Sequence, residues 1–123
     1  MVWRALTNPE MTKKYFFHCK VYSDWKAGSP ITFKGRALLI KNIELKGVIV
    51  KAEPGKLLKY ILQNADGESQ SVVTDRLTYE NGQTILSVSD DVGAGEGAEK
   101  RYQRSVRGWD KVLKGLREVM EQN

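Results

Sequence analysis

The chain has 123 residues, 41% of them hydrophobic and 28% charged, and its 20 Lys and Arg against 15 Asp and Glu give a net charge of +5. This length predicts one domain over residues 1–123, and the composition excludes a disordered, collagen-like or disulfide-rich chain, since there is a single Cys. No apolar run approaches the roughly 20 residues of a membrane span, and the first residues lack the basic start and apolar core of a signal peptide, so we expect a soluble cytoplasmic protein.

The first 16 residues predict two short helices. Val2, Leu6 and Met11 recur at helical spacing. Asn8 is a good N-cap residue and Pro9 suits the first turn of a helix. The pattern therefore places the break between the two helices at Thr7-Asn8.

From His18 onward the apolar residues alternate, as they do along strands. Lys41-Asn42 separates two apolar segments, and Asn64–Gly67 predicts a turn. Asn81-Gly82 accepts positive φ at both positions, which predicts a two-residue hairpin. The extended segments predicted in this way cover residues 19–25, 31–34, 37–40, 43–45, 47–52, 57–62, 71–80 and 83–89.

Residues 90–97 predict a loop, and a long amphipathic helix follows from Ala98. Its apolar residues recur every three or four positions and form a narrow stripe for one partner. These stripe residues are Tyr102, Val106, Trp109, Leu113, Leu116 and Met120. Two short helices, a series of strands and a long final helix predict an α+β fold, with the last helix lying on an antiparallel sheet.

Basic residues are concentrated in this last helix: Lys100, Arg101, Arg104, Arg107, Lys111, Lys114 and Arg117. Glu99, Asp110, Glu118 and Glu121 lie beside them, and mixed charges at helical spacing are typical of a solvated helix face. A nucleic-acid surface needs aromatic side chains exposed among the cations. Tyr102 and Trp109 fall on the apolar stripe instead, so we expect no nucleic-acid partner.

Four segments resemble one family, and they occur in its order. Val2–Glu10 is similar to the first-helix signature hydrophobic-aromatic-x-Ala-Leu-Thr-Asp/Asn-Pro-Glu, and Ser23–Pro30 is similar to a glycine turn. Lys46–Tyr60 resembles the next pair of strands, and Gly108–Leu116 resembles the closing helix. The chain thus resembles the SRPBCC, or START-like, superfamily, in its branch of homologues of the activator of the heat-shock-protein-90 ATPase.

The resemblance implies a helix-grip fold, in which a curved antiparallel sheet wraps the last helix around a cavity for an apolar or amphipathic molecule. Members normally begin with a strand that precedes the first helix, and here that first strand is missing. Its loss leaves backbone groups open at a sheet edge. We expect either a misassigned or truncated start, or a partner chain that supplies the edge, as a homodimer would.

The only His and the only Cys are adjacent, at His18-Cys19. Neighbours on a strand point to opposite faces, so they do not form a nucleophile–base pair, and no other residues are spaced with them for zinc. We expect a packed thiol and a surface imidazole. The glycine-rich segment 93–97 lacks the Lys-Ser/Thr and the following strand of a phosphate-binding motif, and it predicts a mobile loop. The resemblance implies that this loop lies at the mouth of the cavity. We therefore expect no metal site and no cofactor.

Asp75 is the most informative polar residue. Strand alternation places it on one face with Val73 and Leu77, where the resemblance implies an apolar or aromatic residue facing inward. A buried carboxylate must find donors, such as Tyr60 or Tyr102, or stay protonated. Two interpretations stay open: a twist or bulge brings Asp75 to water, or Asp75 is a polar anchor in an apolar pocket.

The residues expected around the cavity are inward-facing side chains of the sheet and of the first half of the last helix. They are Phe33, Tyr60, Asp75, Leu77, Leu86, Val88, Tyr102 and Val106. Each of them also fits an ordinary core. Trp109 and Leu113, further along the helix, are expected to pack on the sheet instead.

Three functions are compatible with these patterns. The first is a protein that binds a hydrophobic or amphipathic small molecule, which predicts a closed cavity on the order of several hundred Å³. The second, by analogy with the resemblance, is a chaperone-interaction domain with a packed core and an exposed apolar patch. The third is a cavity-based hydrolase or cyclase-type enzyme, which requires a second polar group near Asp75. The sequence assigns no catalytic residue.

Overall fold

In the part of the chain that the structure describes, six strands form one antiparallel sheet in chain order, and a long helix follows them. A computed structural model describes residues 2–37, 41–63, 70–93 and 95–121. The helices are α1 (Val2–Thr7), α2 (Pro9–Tyr15) and α3 (Ala98–Glu121). The strands are β1 (Lys20–Ser23), β2 (Pro30–Ala37), β3 (Lys41–Glu53), β4 (Leu57–Gln63), β5 (Gln70–Glu80) and β6 (Gln83–Asp91).

The two N-terminal helices confirm the prediction. The Asn8 side chain accepts a hydrogen bond from the backbone N–H of Glu10 at 2.9 Å, and Pro9 opens α2. The two helices are joined by the Tyr15 hydroxyl, which donates to the carbonyl of Ala5 at 2.6 Å. This bond is buried and fixes α1 against α2.

The hairpin between β5 and β6 also confirms the prediction. Asn81 and Gly82 have φ values of 50° and 77°, and Glu80 pairs with Gln83 across the turn. Positive φ at both central positions matches the right-handed twist of the strands. This turn fixes the register that later brings Asp75 and Asp90 onto one face.

The middle of the sheet differs in detail from the expectation. Lys41 and Asn42 lie within β3, and Ala37 pairs with Lys41. The two segments expected at 43–45 and 47–52 form this one strand, which has an irregularity in register between Ile49 and Lys51. Residues 38–40 and the turn predicted at 64–67 lie outside the described residues.

One glycine marks a close approach of two strands. Gly47 of β3 pairs with Leu62 of β4, and a Cβ added at Gly47 would overlap the carbonyl oxygen of Ile61. The backbones therefore approach at a distance that only glycine allows.

The core consists of two clusters that meet under α3. The sheet cluster contains Cys19, Val21, Ile31, Phe33, Ile49, Leu58, Tyr60 and Val73. The helix cluster contains Ala5, Tyr15, Val112, Leu116 and Val119. Phe16 and Trp109 pack against both clusters, with ring centroids 5.7 Å apart in an edge-to-face arrangement. The two aromatic rings thus join the sheet to the helices.

The buried face of α3 differs from the predicted stripe. Val112, Leu116 and Val119 are buried, whereas Tyr102 and Val106 are 58% and 52% exposed. A Cβ added at Gly115 would lie 3.0 Å from Cβ of Tyr15, so the missing side chain lets α2 pack closely on α3. The buried face is therefore shifted toward Val112 and Val119, while Leu116 of the predicted stripe is buried as expected.

None of the described helices is both long and apolar enough to cross a membrane.

Candidate functional site

A small cavity lies between the inner face of the sheet and the helices. Its volume, measured as the space open to the centre of a water molecule, is about 20 Å³. Its walls are almost entirely apolar or aromatic. The lining residues are Leu6, Thr12, Tyr15, Phe16, Val21, Trp25, Ile31, Phe33, Leu58, Tyr60, Asp75, Leu86, Val88, Trp109, Val112, Leu113 and Leu116. The enclosed space is far smaller than the one expected for a ligand-binding cavity, and it matches one or two water molecules.

The structure places five of the eight expected cavity residues in this wall: Phe33, Tyr60, Asp75, Leu86 and Val88. Leu77 is buried but is not part of the wall. Tyr102 and Val106 do not line the cavity, because both side chains are exposed to solvent. The expectation that these three residues face the cavity is therefore wrong.

Sequence reasoning missed the contributions of α2 and of the second half of α3. Thr12, Tyr15 and Phe16 line the cavity from α2 and its end, and Trp109 and Leu113 line it from α3. The recurrence of Thr12, Tyr15 and Phe16 at helical spacing is a signal that would have identified an inward face. The sequence gives no position for Trp25, which also lies in the wall.

A larger cleft adjoins the cavity and opens toward solvent. Its space for water-sized spheres is about 140 Å³. The cavity and the cleft share Phe16, Tyr60, Trp109 and Val112, so these side chains separate one from the other. The cleft is further lined by Phe17, Leu62, Ser71, Val73, Asp90, Ser105 and Gly108.

Asp75 is buried on the inner face of the sheet, on β5. It pairs with Leu58 on one side and Val88 on the other, and only 4% of it is exposed. No described donor reaches its Oδ1 atom, which is buried. Burial, and then the nearby charge of Asp90, raise the pKa of Asp75 to about 7. Of the two open interpretations, the one that brings Asp75 to water is thus wrong.

Asp90 lies on the same face of the neighbouring strand. Since Val73 pairs with Asp90 and Asp75 pairs with Val88, the two carboxyl groups are diagonal neighbours. The Oδ2 atom of Asp90 accepts hydrogen bonds from Ser105 Oγ at 2.6 Å and from Trp109 Nε1 at 2.9 Å. Its Oδ1 atom is buried without a described partner. Residues of α3 thus donate hydrogen bonds to one oxygen of the Asp90 side chain and leave the other oxygen without a described donor.

Two tyrosines complete the polar surroundings. Burial, followed by the charge of Asp75, raises the pKa of both Tyr15 and Tyr60 above the usual value, and Asp90 contributes further at Tyr60. Both phenols therefore stay protonated and act as neutral groups. Tyr102, the other expected donor, is exposed on α3. A carboxyl group with a pKa near 7 beside a carboxylate can take up or release a proton at neutral pH, or hold a ligand that supplies donors.

The segments flanking this site have structural contacts. Cys19 is buried and its Sγ lies 3.6 Å from the carbonyl oxygen of Phe17, while His18 is exposed, as expected. Arg101 ties the loop before α3 to the helix, since Nε donates to the carbonyl of Val92 and Nη1 to that of Glu96, both at 2.9 Å. Among the described residues, no three His, Cys, Asp or Glu side chains converge as metal ligands would.

A curled antiparallel sheet with a long C-terminal helix and two short N-terminal helices defines a helix-grip domain of the α+β class. Residues 1–121 match the model of the family described as activator of Hsp90 ATPase homolog 1-like protein. The chain belongs to this family, as the four motifs predicted.

Solved structures share the fold of this chain. A protein from Cytophaga hutchinsonii is 33% identical with a TM-score of 0.73, over 98% of this chain and 84% of that one. A Mesorhizobium loti protein has 24% identity and a TM-score of 0.79, over 99% and 88% of the two chains. A Nitrosomonas europaea protein has 16% identity and a TM-score of 0.81, over 98% and 85%. No curated protein matches this sequence.

Proposed function

We propose that this protein is a small cytoplasmic binding protein, which holds a hydrophobic or amphipathic molecule between its sheet and α3. The single observation that carries the proposal is the pair of buried carboxylate oxygens, Oδ1 of Asp75 and Oδ1 of Asp90, that no described donor reaches. They lie in an otherwise apolar and aromatic surrounding.

Such oxygens are unfavourable in a core that serves only stability. A buried acceptor without a donor destabilises the fold by about 1–3 kcal/mol, and an apolar side chain of similar size would avoid this loss. Ligand pockets are mostly apolar and contain a few polar groups that orient the ligand. Two unpaired acceptors on neighbouring strands are suited to this role.

The size of the space determines how a ligand would enter. The enclosed cavity of about 20 Å³ holds only a water-sized group, whereas the adjoining cleft offers about 140 Å³. Phe16 and Trp109 stand between the two, so a ligand that occupies both displaces these rings. We infer that these two side chains rotate when the ligand binds, and that the first half of α3, which Ser105 joins to Asp90, moves outward over the cleft.

Gly108 of α3 offers a way to block the cleft without disturbing the fold. A Cβ added there would lie 3.8 Å from Cζ of Phe17, an ordinary contact, and glycine is a poor helix former. Gly108→Leu therefore fills the cleft, and Gly108→Ala is the matched control that leaves most of it open.

The test is native mass spectrometry of the protein purified gently from its own cells, followed by a denaturing run. We expect extra mass on the wild type and on Gly108→Ala that is lost on denaturation, and little or none on Gly108→Leu. Extra mass that Gly108→Leu retains, or a bare protein in all three samples, would contradict the proposal of a tightly held ligand in this cleft.

A second function is favoured by a separate observation. Tyr102, Val106 and Leu113 recur at helical spacing on α3 and are exposed, and Phe17 beside Gly108 is 45% exposed. An apolar stripe of this kind is typical of a protein-interaction surface. The family's description, which names an activator of the Hsp90 ATPase, suggests a chaperone as the partner.

Because Tyr102 is exposed and does not line the cavity or the cleft, its substitution distinguishes the two functions. Tyr102→Ala is expected to weaken a chaperone contact, measured as stimulation of the Hsp90 ATPase rate, and to leave the mass of a bound ligand unchanged. Gly108→Leu is expected to have the opposite pattern. Wild-type protein that leaves the ATPase rate unaltered would exclude this second function.

A further inference from the structure

The proposed binding site is acidic, although the protein as a whole is basic. Asp75 lines the cavity and Asp90 lines the cleft, and neither wall includes a Lys, Arg or His among the described residues. The four ion pairs of the described chain join Lys20 to Glu10, Lys46 to Glu44, Lys51 to Glu53 and Lys114 to Asp110. All of these lie outside the site. Among the described residues that line the cavity and the cleft, no cationic side chain compensates the two carboxyl groups.

The described hydrogen-bond donors reach only some of the carboxyl oxygens in the site. Ser105 and Trp109 both donate to Oδ2 of Asp90. The Oδ1 atom of Asp90 and the Oδ1 atom of Asp75, a residue that is only 4% exposed, remain without a described partner. The ligand must therefore supply at least two hydrogen-bond donors.

The aromatic walls between cavity and cleft narrow the choice of ligand. The faces of Tyr60, Trp109 and Phe16 carry the negative potential that attracts cations. A ligand carboxylate would be repelled by Asp90, and a single hydroxyl group has only one proton to donate. An ammonium group has three donors and the positive charge, and it is about the size of the water molecule that the cavity accommodates.

Resting on the function proposed above, we infer that the ligand is a cationic amphipath, with an ammonium group between Asp75 and Asp90 and an apolar body in the cleft beside Phe17, Leu62 and Val73. The cleft of about 140 Å³ suits an alkyl chain or a single aromatic ring.

This arrangement couples binding to a proton. The titratable groups around Asp75 are Tyr15 of α2, Tyr60 of β4 and Asp90 of β6. From α3, Trp109 lines the cavity together with Asp75, and Ser105 and Trp109 both donate to Asp90; neither of these side chains titrates. With its pKa raised to about 7, Asp75 is partly protonated at neutral pH, and a cation beside it favours the ionised form. Binding then releases a proton, and affinity rises by about tenfold from pH 6 to pH 8 and then levels off.

The test compares three ligands of equal chain length: octylammonium, octan-1-ol and octanoate. Isothermal titration calorimetry at pH 8 is expected to show octylammonium binding at least tenfold more tightly than the other two. Calorimetry at pH 7 in buffers of different ionisation enthalpy is expected to show the release of about half a proton per octylammonium bound.

Variants assign the preference to the two carboxyl groups. Asp75→Asn is expected to abolish the proton release and to lower the ratio of octylammonium affinity to octanol affinity at least tenfold. Octanol binding itself is expected to stay unchanged. Asp91→Asn, an exposed neighbour on β6, is the matched control and retains the wild-type preference. Asp90→Asn, whose folding is checked by circular dichroism, is expected to lower amine affinity without affecting octanol.

The outcomes separate this inference from the function on which it rests. If octanol or octanoate binds as tightly as octylammonium, the cationic ligand is wrong and the binding function stands. An amine preference that Asp75→Asn and Asp90→Asn both retain also overturns the inference. If none of the three ligands binds, the binding function proposed for the cleft fails together with it.

Discussion

The two halves of α3 are held to the rest of the molecule by different interactions. Residues 108–121 bury Val112, Leu116 and Val119 against the N-terminal helices, and Gly115 allows Tyr15 to pack closely. Residues 98–107 bury no side chain completely and are fixed by polar contacts, from Ser105 to Asp90 and from Arg101 to the preceding loop.

This difference assigns separate roles to the two halves. Apolar packing within a close-fitting core resists displacement, whereas a few polar contacts at the rim exchange with water at a smaller loss of free energy. The second half of α3 therefore anchors the helix, and the first half, which lines the cleft through Ser105, is the part that can open.

The largest expected effect is in the anchored half. Leu116 is 5% exposed and belongs to the helix cluster, so Leu116→Ala creates a cavity and lowers the free energy of unfolding by about 2–5 kcal/mol. Urea denaturation measures this change. The matched control is Val106→Ala in the exposed first half, which is expected to change the free energy of unfolding by less than about 0.5 kcal/mol. Similar losses in the two variants would contradict the division of α3.

The next effect concerns the carboxyl group under the helix. Because the pKa of Asp75 is raised in the folded state to about 7, the folded protein retains this proton where the unfolded chain has lost it. Its contribution to stability is therefore greatest below about pH 4 and falls as pH rises to about 7. Asp75→Asn removes this dependence and raises the free energy of unfolding at pH 8, relative to wild type, by on the order of 3 kcal/mol.

Chemical denaturation between pH 4 and pH 9 measures the difference between Asp75→Asn and wild type. The exposed carboxylate of Asp110, which is paired with Lys114, provides the control variant Asp110→Asn. The difference for Asp110→Asn is expected to stay small and flat across this range. An Asp75→Asn difference that does not grow with pH would mean that Asp75 reaches water, as a mobile first half of α3 would allow.

The smallest effect is expected where the first half of α3 meets the sheet. Ser105→Ala removes the 2.6 Å hydrogen bond to Asp90 and lowers the free energy of unfolding by about 1–2 kcal/mol. Amide hydrogen exchange is expected to speed up over residues 98–109 and to change little over residues 112–121. Ser87→Ala on β6, an exposed serine, is the control. Uniform acceleration along all of α3 would show that the helix opens as one unit.

Local signals in the sequence predict most of the fold. Asn8-Pro9, Asn81-Gly82 and the start of α3 at Ala98 each depend on backbone chemistry within a few residues, and each lies where the sequence predicts it. Local chemistry of this kind can be read without knowing what packs against it.

The buried face of α3 could not be predicted in the same way. Its position depends on the contact of Gly115 with Tyr15, a residue 100 positions earlier in the chain. The small residues Ser105, Gly108 and Gly115 lie on the buried side and mark a close approach, whereas the prediction weighed only the large apolar residues. The burial of Asp75 likewise depends on both neighbouring strands and on α3, which strand alternation alone does not determine.

Gly47 carries a consequence for how this chain can evolve. All other amino acids have a Cβ atom, and at this position a Cβ would collide with the backbone of the next strand. A collision with a side chain could be relieved by a smaller residue there, but a collision with the backbone could not. No second substitution elsewhere can relieve such a collision, since all residues share the same carbonyl. The neighbouring positions Lys46 and Val48 are exposed and free to drift, so homologues that keep this pairing of β3 with β4 should retain a glycine between two variable residues.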